Sequence, residues 1–222
     1  MLFAMVLAAT LAGAASPQSS PPAAPPPDAH AAPLDHAIAH YRAIEAYRVT
    51  IHSFHADGEE HIQYYYKKPG YVRMEFIKPH AGALLTYSPK TARVLLWPFG
   101  YGHFPRLDLS PGNPLIKSSR GQHVDHSDVG SLFDNIRTLQ EHGSTELLGT
   151  ETVDGRTVLH LNTTGTNKFA VDGVHRYEWW LDAQSLFPLK VISRDAGDVI
   201  LETVYMDALE INPMLPDAMF TP

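Results

Sequence analysis

The sequence lacks cysteine altogether, since none of its 222 residues is one. Disulfide bonds, a thiolate nucleophile, zinc–thiolate sites and a lipid-modified N-terminal cysteine are therefore excluded. If this chain is exported, its fold has to be stable without covalent cross-links.

A surplus of positive charge is also lacking. The chain carries 17 Lys and Arg residues against 24 Asp and Glu residues, which gives a formal net charge of −7. A nucleic-acid-binding protein would usually show a basic stripe, and simple electrostatic adhesion to anionic lipid would need basic clusters. We therefore expect no nucleic-acid partner.

The common catalytic motifs are absent from the sequence. It contains no Gly-x-Ser-x-Gly nucleophile elbow, no His-Glu-x-x-His zinc motif and no Gly-rich phosphate loop. Histidine is abundant, and His103, His123 and His126 lie near Asp125 and Asp128, but their spacing matches no defined metal-ligand pattern. We expect no metal, no cofactor and no catalytic residues. A hydrolase or metal enzyme using these histidines is the alternative.

The first part of the chain has the composition of a leader and a spacer. Residues 2–11 form an apolar run followed by small residues, which is typical of a secretion signal. The run is too short to span a bilayer as a helix. Many prolines and no apolar period follow, which predicts a disordered linker. We expect a signal peptide over residues 1–15, a linker over 16–33 and one folded domain over 34–222, located outside the cytoplasm.

The remaining chain combines two helical segments with many short strands. Helical spacing of apolar residues predicts a helix over 34–45 and another over 127–143, the latter capped by Ser127 or Asp128. Elsewhere the apolar period is two and turn signals such as Asp-Gly and Pro-Gly recur, which predicts five strands before the second helix and about five after it. The Gly- and Pro-rich residues 98–126 have no clear period, and a connection of that length is usually functional or a lid. The fold class is therefore mainly β with α: one antiparallel sheet that curls, covered by a few helices.

Bulky side chains are concentrated on one face of the predicted strands. Alternation places Tyr65, Arg73 and Glu75 on the outer face. Adaptable Met and large aromatic side chains on the inner face favour an apolar cavity over a tightly filled core, although an ordinary inner sheet face is the alternative. The residues predicted to line this cavity are Tyr64, Tyr66, Met74, Phe76, Tyr177, Trp179, Leu181 and Leu189.

Three stretches resemble the periplasmic outer-membrane lipoprotein carrier (LolA-like) superfamily over most of residues 35–221. The first is "YYYKKPGYVRMEFIKPHAGALLTYSPKTARVLLWPFG", which is similar to the core strands of that superfamily. The second, "SPGNPLIKSSR", falls where its lid-forming segment lies. The third is "FPLKVISRDAGDVILETVYMDALEINPMLPDAMF", which ends in the closing Asn-x-x-Leu-Pro-x-x-x-Phe pattern. The chain is identified as a divergent member on these motifs.

The resemblance implies a periplasmic protein with an open half-barrel, a helical lid and an apolar cavity for acyl chains. Lys68 stands where the carrier usually has an Arg that holds the lid, and lysine lacks the planar fork of arginine. The expected function is binding or carriage of lipid or lipoprotein acyl chains in outer-membrane biogenesis, by a monomer, with envelope membrane proteins as further partners. The alternative is an envelope accessory or sensor protein that uses the same fold to bind another protein, without lipid transport.

Overall fold

The computed structural model describes residues 32–118 and 120–221. The predicted signal peptide, over residues 1–15, and most of the predicted linker lie outside these described residues. The first helix begins at Ala32, two residues before the predicted start of the folded domain.

The described residues form two α-helices and eleven β-strands, together with three single turns of 3₁₀ helix at Pro114–Ile116, Val124–His126 and Asp217–Met219. The helices are α1 (Ala32–Ala43) and α2 (Val129–Glu141). The strands are β1 (Ala46–His55), β2 (Gly58–Lys67), β3 (Tyr71–Lys78), β4 (Leu84–Ser88), β5 (Arg93–Trp97), β6 (Leu107–Leu109), β7 (Gly143–Val153), β8 (Arg156–Gly165), β9 (Arg176–Asp182), β10 (Pro188–Arg194) and β11 (Ile200–Ile211).

All eleven strands form one antiparallel sheet in the order β6-β5-β4-β3-β2-β1-β11-β10-β9-β8-β7. Two meanders, β1 to β6 and β7 to β11, are therefore joined where the first strand pairs with the last. At this seam Ile51 lies opposite Met206. Because β6 and β7 lie at the two ends of the order, the sheet is not closed into a barrel. The predicted fold class, an open antiparallel sheet with a few covering helices, is confirmed.

Strand β6 was not predicted from the sequence. β6 has only three residues and lies within the Gly- and Pro-rich connection, so it offers no alternation to recognise. The second helix is shorter than predicted and begins after Asp128, whose side chain accepts a hydrogen bond from the Gly130 amide at 2.7 Å. Of the two N-cap candidates that the sequence indicated, Ser127 and Asp128, Asp128 is therefore the cap.

The main core lies between α1, α2 and one face of the sheet, which we call the concave face. Phe133 of α2 is fully buried there, edge-on to Tyr41 of α1 and to Trp179 of β9, with ring centroids 6.0 and 6.4 Å apart. Tyr47 of β1 stacks on Tyr66 of β2, with centroids 5.1 Å apart. These aromatic contacts fix both helices against the sheet.

The opposite face is covered in part by the C-terminal segment, residues 212–221. Tyr65 is buried there with Leu215 and Phe220, although alternation alone predicted an outward-facing side chain. Lys67 Nζ donates to the Leu215 carbonyl at 2.8 Å, and Arg73 Nη1 donates to the Met219 carbonyl at 2.9 Å. The outward direction of Tyr65 is correct, but the tail excludes solvent from it.

Candidate functional site

Two adjoining cavities lie between the concave face and the residues that lead into α2. The first has a volume of about 190 Å³ and opens between the central strands and α2. The second, of about 320 Å³, lies between strands β2 to β5 on one side and residues 115–118 and 122–124 on the other. Ile62, Met74 and Ser127 border both cavities, so they form one branched space.

The walls of this space are mostly apolar. Many of the lining side chains are only partly buried against the neighbouring core. They border the space without filling it. Such a space, with a few polar groups at defined places, has the character of a ligand pocket. Its apolar walls include Ile51, Ile62, Met74, Phe76, Leu132 and Met206.

A polar cluster around Arg120 lies at one end of the first cavity. Arg120 comes from the segment before α2, and its guanidinium lies 3.4 Å from the Glu202 carboxylate on β11 and 3.4 Å from the Ser193 hydroxyl on β10. Ser53 of β1 donates to the same carboxylate at 2.5 Å. Since Arg120 and Glu202 are only 14% and 18% exposed, solvent screens this ion pair little. Arg120 thereby fastens the connecting segment to β10 and β11, and Ser53 links β1 to the same carboxylate.

Glu60 of β2 borders both cavities close to this cluster. Burial raises the pKa of its carboxyl above the usual 4.5, and the nearby Glu202 raises this pKa further, whereas His55 and His80 lower it. The folded state therefore holds the Glu60 proton over a pH range in which the unfolded chain has released it. The stability that this group contributes is present below about pH 4.5 and is lost as the pH rises through the raised pKa.

Glu60→Gln should consequently be more stable than wild type at neutral pH, and the difference should shrink towards about pH 4, where wild-type Glu60 is protonated. Urea unfolding of both proteins at several pH values measures this. Glu59→Gln is the matched control, because an ion pair with Lys78 lowers the pKa of that exposed carboxyl. Its pH dependence should have the opposite sign, and the same sign for both variants would contradict the assignment.

Four of the eight predicted cavity residues border the cavities. They are Tyr64, Met74, Phe76 and Tyr177. The hydroxyl of Tyr64 lies 3.0 Å from the Ser127 hydroxyl, so this ring also links β2 to the start of α2. The burial of Tyr64 raises its pKa well above the usual range, and the phenol remains protonated as a hydrogen-bond donor.

The other four predicted residues occupy different positions. Tyr66, Trp179 and Leu181 are buried in the main core on the concave face, below the cavity walls. Leu189 lies on the opposite face with Val158 and Trp180. The cause is an irregularity between Pro188 and Lys190 in the pairing of β10 with β9, which interrupts the alternation.

The predicted lid residue, Lys68, contacts helix α1. Its Nζ donates to the Arg42 carbonyl at 2.6 Å and lies 3.4 Å from a Glu45 carboxylate oxygen. It thereby binds an otherwise unpaired carbonyl at the end of α1. The segment that follows β6 is held by Arg120 instead.

The histidines of the long connection form no shared ligand set. His123 and His126 each lie 3.9 Å from a different oxygen of Asp125, at the limit of an ion pair. Asp128 is engaged as the cap of α2 and accepts from the Tyr41 hydroxyl at 2.7 Å. Within residues 32–118 and 120–221 no three His, Asp or Glu side chains are grouped to hold a metal ion.

Sequence reasoning missed the Arg120–Glu202 pair. The two residues are separated by most of the second meander, and Glu202 sits in an otherwise ordinary alternating strand. The inward-facing position of Glu202 was a signal that could have revealed the pair, because a buried glutamate needs a partner to remain charged.

No protein-family profile and no curated protein matches this sequence. Solved structures do match it. The Pseudomonas aeruginosa MucA/MucB complex is 15% identical over 86% of this chain and 60% of the matched chain, with a TM-score of 0.55. The lipoprotein LppX of Mycobacterium tuberculosis is 8% identical over 85% and 97%, with a TM-score of 0.53. A LolA superfamily protein from Nitrosomonas europaea matches over 87% and 97%, at 12% identity and a TM-score of 0.37.

At these identities the first two likenesses show the fold alone. Together with the open eleven-stranded sheet and its two helices, they confirm the architecture that the resemblance to the LolA-like superfamily implied. No helix in the described part of the chain is long and apolar enough to cross a membrane.

Proposed function

We propose that this protein binds acyl chains of lipids or lipoproteins in the space between the concave face and the segment before α2. It acts as a monomeric binding protein or carrier of the periplasm and not as an enzyme. The observation that carries the proposal is the branched cavity with its partly covered aliphatic, methionine and aromatic walls.

The driving force is the transfer of methylene groups from water to these walls. Each buried methylene contributes about 0.8 kcal/mol, so a chain gains affinity with every carbon that finds room. The methionines at positions 74 and 206 suit this role because their flexible side chains adapt to chains of different shape. The same adaptability allows a bound chain to be released.

A second candidate is binding of a protein segment in the same space. The likeness to MucB in its complex with MucA favours it, since MucA is a protein partner. Under this alternative, the purified protein would retain a peptide partner and would not take up fatty acid.

Met74→Trp tests the proposal by filling the space at the point that both cavities share. If the indole displaces about three methylene groups, affinity for a fluorescent fatty acid such as cis-parinaric acid should fall by about 2.4 kcal/mol, roughly fifty-fold. Fluorescence titration measures the affinity, and mass spectrometry of the denatured wild type looks for co-purified lipid.

The matched control is Met214→Trp, because Met214 is 96% exposed on the C-terminal segment. This variant should bind the fatty acid like wild type. Absence of both co-purified lipid and fatty-acid uptake in wild type would reject acyl-chain binding. If the Met74 and Met214 variants bound the fatty acid with equal affinity, the fatty acid would bind somewhere other than this space.

A further inference from the structure

The loop between β5 and β6 exposes three aromatic side chains. In this aromatic loop, residues 98–106, the side chains of Phe99, Tyr101 and Phe104 are 70%, 59% and 92% exposed. Burial of such rings is favourable, and three large aromatic residues exposed within six positions are unusual for a surface that meets only water. Amphipathic and aromatic rings concentrate where proteins meet the interface of a bilayer.

The backbone gives the aromatic loop a defined shape. Gly100 and Gly102 have φ angles of 96° and 81°, which residues with a side chain rarely adopt. A Cβ atom at Gly100 would lie 3.2 Å from the Gly82 carbonyl oxygen, so the aromatic loop packs directly on the turn between β3 and β4. Tyr101 lies edge-on to Trp97 of β5, with ring centroids 5.5 Å apart.

The aromatic loop lies at the border of the second cavity. Pro98 at its start, His80 of the neighbouring turn, and Leu115 and Lys117 of the segment after β6 all line that cavity. Leu115 is itself 72% exposed, which extends the apolar surface beside the opening.

The charge of this region differs from that of the whole chain. Residues 77–82, 98–106 and 113–118 contain Lys78, Arg106 and Lys117 but no Asp or Glu, although the chain has a net charge of −7. Lys78 is paired with Glu59 from outside the region, whereas Arg106 and Lys117 are exposed. Basic side chains beside inserted aromatic rings are suited to anionic head groups. The local positive charge therefore complements an anionic membrane surface, although the net charge of the chain is negative.

We propose that residues 77–82, 98–106 and 113–118 form a surface that docks onto an anionic lipid bilayer, with Phe99, Tyr101 and Phe104 inserted at the head-group level. Docking would place the opening of the second cavity against the membrane. This inference goes beyond acyl-chain binding and does not require it.

Co-sedimentation of the full chain with vesicles tests the surface. The vesicles contain phosphatidylcholine with about one third phosphatidylglycerol, to supply anionic head groups. Wild type should bind, and Phe99→Ser/Tyr101→Ser/Phe104→Ser should bind at least roughly tenfold more weakly, because interfacial affinity scales with the apolar area inserted. Arg106→Gln/Lys117→Gln should bind more weakly and with a smaller dependence on salt.

Val199→Ser/Met214→Ser is the matched control, because these two side chains are also exposed, by 59% and 96%, but lie outside the surface. This variant should bind vesicles like wild type. All variants share the same N-terminal residues, so differences between them report on the substituted positions. Failure of wild type to bind the anionic vesicles, or equal binding by the triple variant, would overturn the proposal.

Titration with cis-parinaric acid in the absence of vesicles separates this result from the proposed function. The triple serine variant should retain its affinity for the fatty acid, since its substitutions leave the cavity walls unchanged. Loss of vesicle binding with fatty-acid binding intact supports a dedicated membrane surface. Vesicle binding without fatty-acid uptake would refute acyl-chain binding and leave the docking surface standing.

Discussion

Arg120→Met should lower the free energy of unfolding by about 2–3 kcal/mol, because it leaves a largely buried carboxylate without its cation. Glu202 would retain only the Ser53 hydroxyl and the neighbouring strands around it. The segment between β6 and α2 would lose its contacts with Ser193 and with the Asp172 carbonyl as well. Urea unfolding measures the stability, and protease sensitivity within residues 110–126 reports whether the segment has detached.

Two further variants test whether the loss of stability comes from the Arg120–Glu202 pair. Arg120→Met/Glu202→Met should recover most of the loss, since replacing both members of a buried pair by apolar residues is often neutral. Arg93→Met removes an arginine from an exposed pair with Asp108 and should cost less than about 1 kcal/mol. If the double variant were as unstable as the Arg120 single variant, the pairing would not explain the effect.

Phe133→Ala should be the most destabilising of these substitutions, with a cost of about 3–5 kcal/mol, as is typical for a fully buried phenylalanine. Its ring is 1% exposed and lies between Tyr41 and Trp179, so its removal leaves a cavity in the core. For a chain of this length, the midpoint of thermal unfolding should fall by on the order of 10 °C. Circular dichroism during heating and urea unfolding measure both quantities.

The neighbouring residue on the same helix supplies the control. Leu132 is partly buried and faces the first cavity, so Leu132→Ala should cost only about 1–2 kcal/mol and should enlarge the space for ligand. Equal destabilisation by the two variants would show that the cavity beside Leu132 is filled as tightly as the core beside Phe133.

Local sequence patterns predicted most of the fold. The strands around Asp57 and Asp154 follow from alternation and strong turn residues, and α2 follows from its cap and its apolar stripe. Each of these signals acts within about ten residues of chain. The short strand β6 has no such signal, because pairing with β5 defines it.

The site was predictable only in part, because its decisive contacts are long-range. Alternation correctly assigned Tyr64 and Met74 to the concave face, but it could not tell a cavity wall from filled core, as Trp179 shows. For Leu189, an irregularity in the pairing of β10 with β9 changed the face. The partner of Arg120 depends on how the segment before α2 lies across strands far away in sequence.

The pairing of β1 with β11 has a consequence for the order in which this protein folds. Each meander can form from contacts between neighbouring strands, whereas the seam needs both ends of the folded chain and is therefore expected to form late. Ile51 and Met206 face each other across that seam and both line the first cavity. The first cavity of a nascent chain is thus incomplete until β11 is in place. If acyl chains bind in this space as proposed, a ligand that binds only the completed sheet would stabilise the folded state by mass action and so favour formation of the seam.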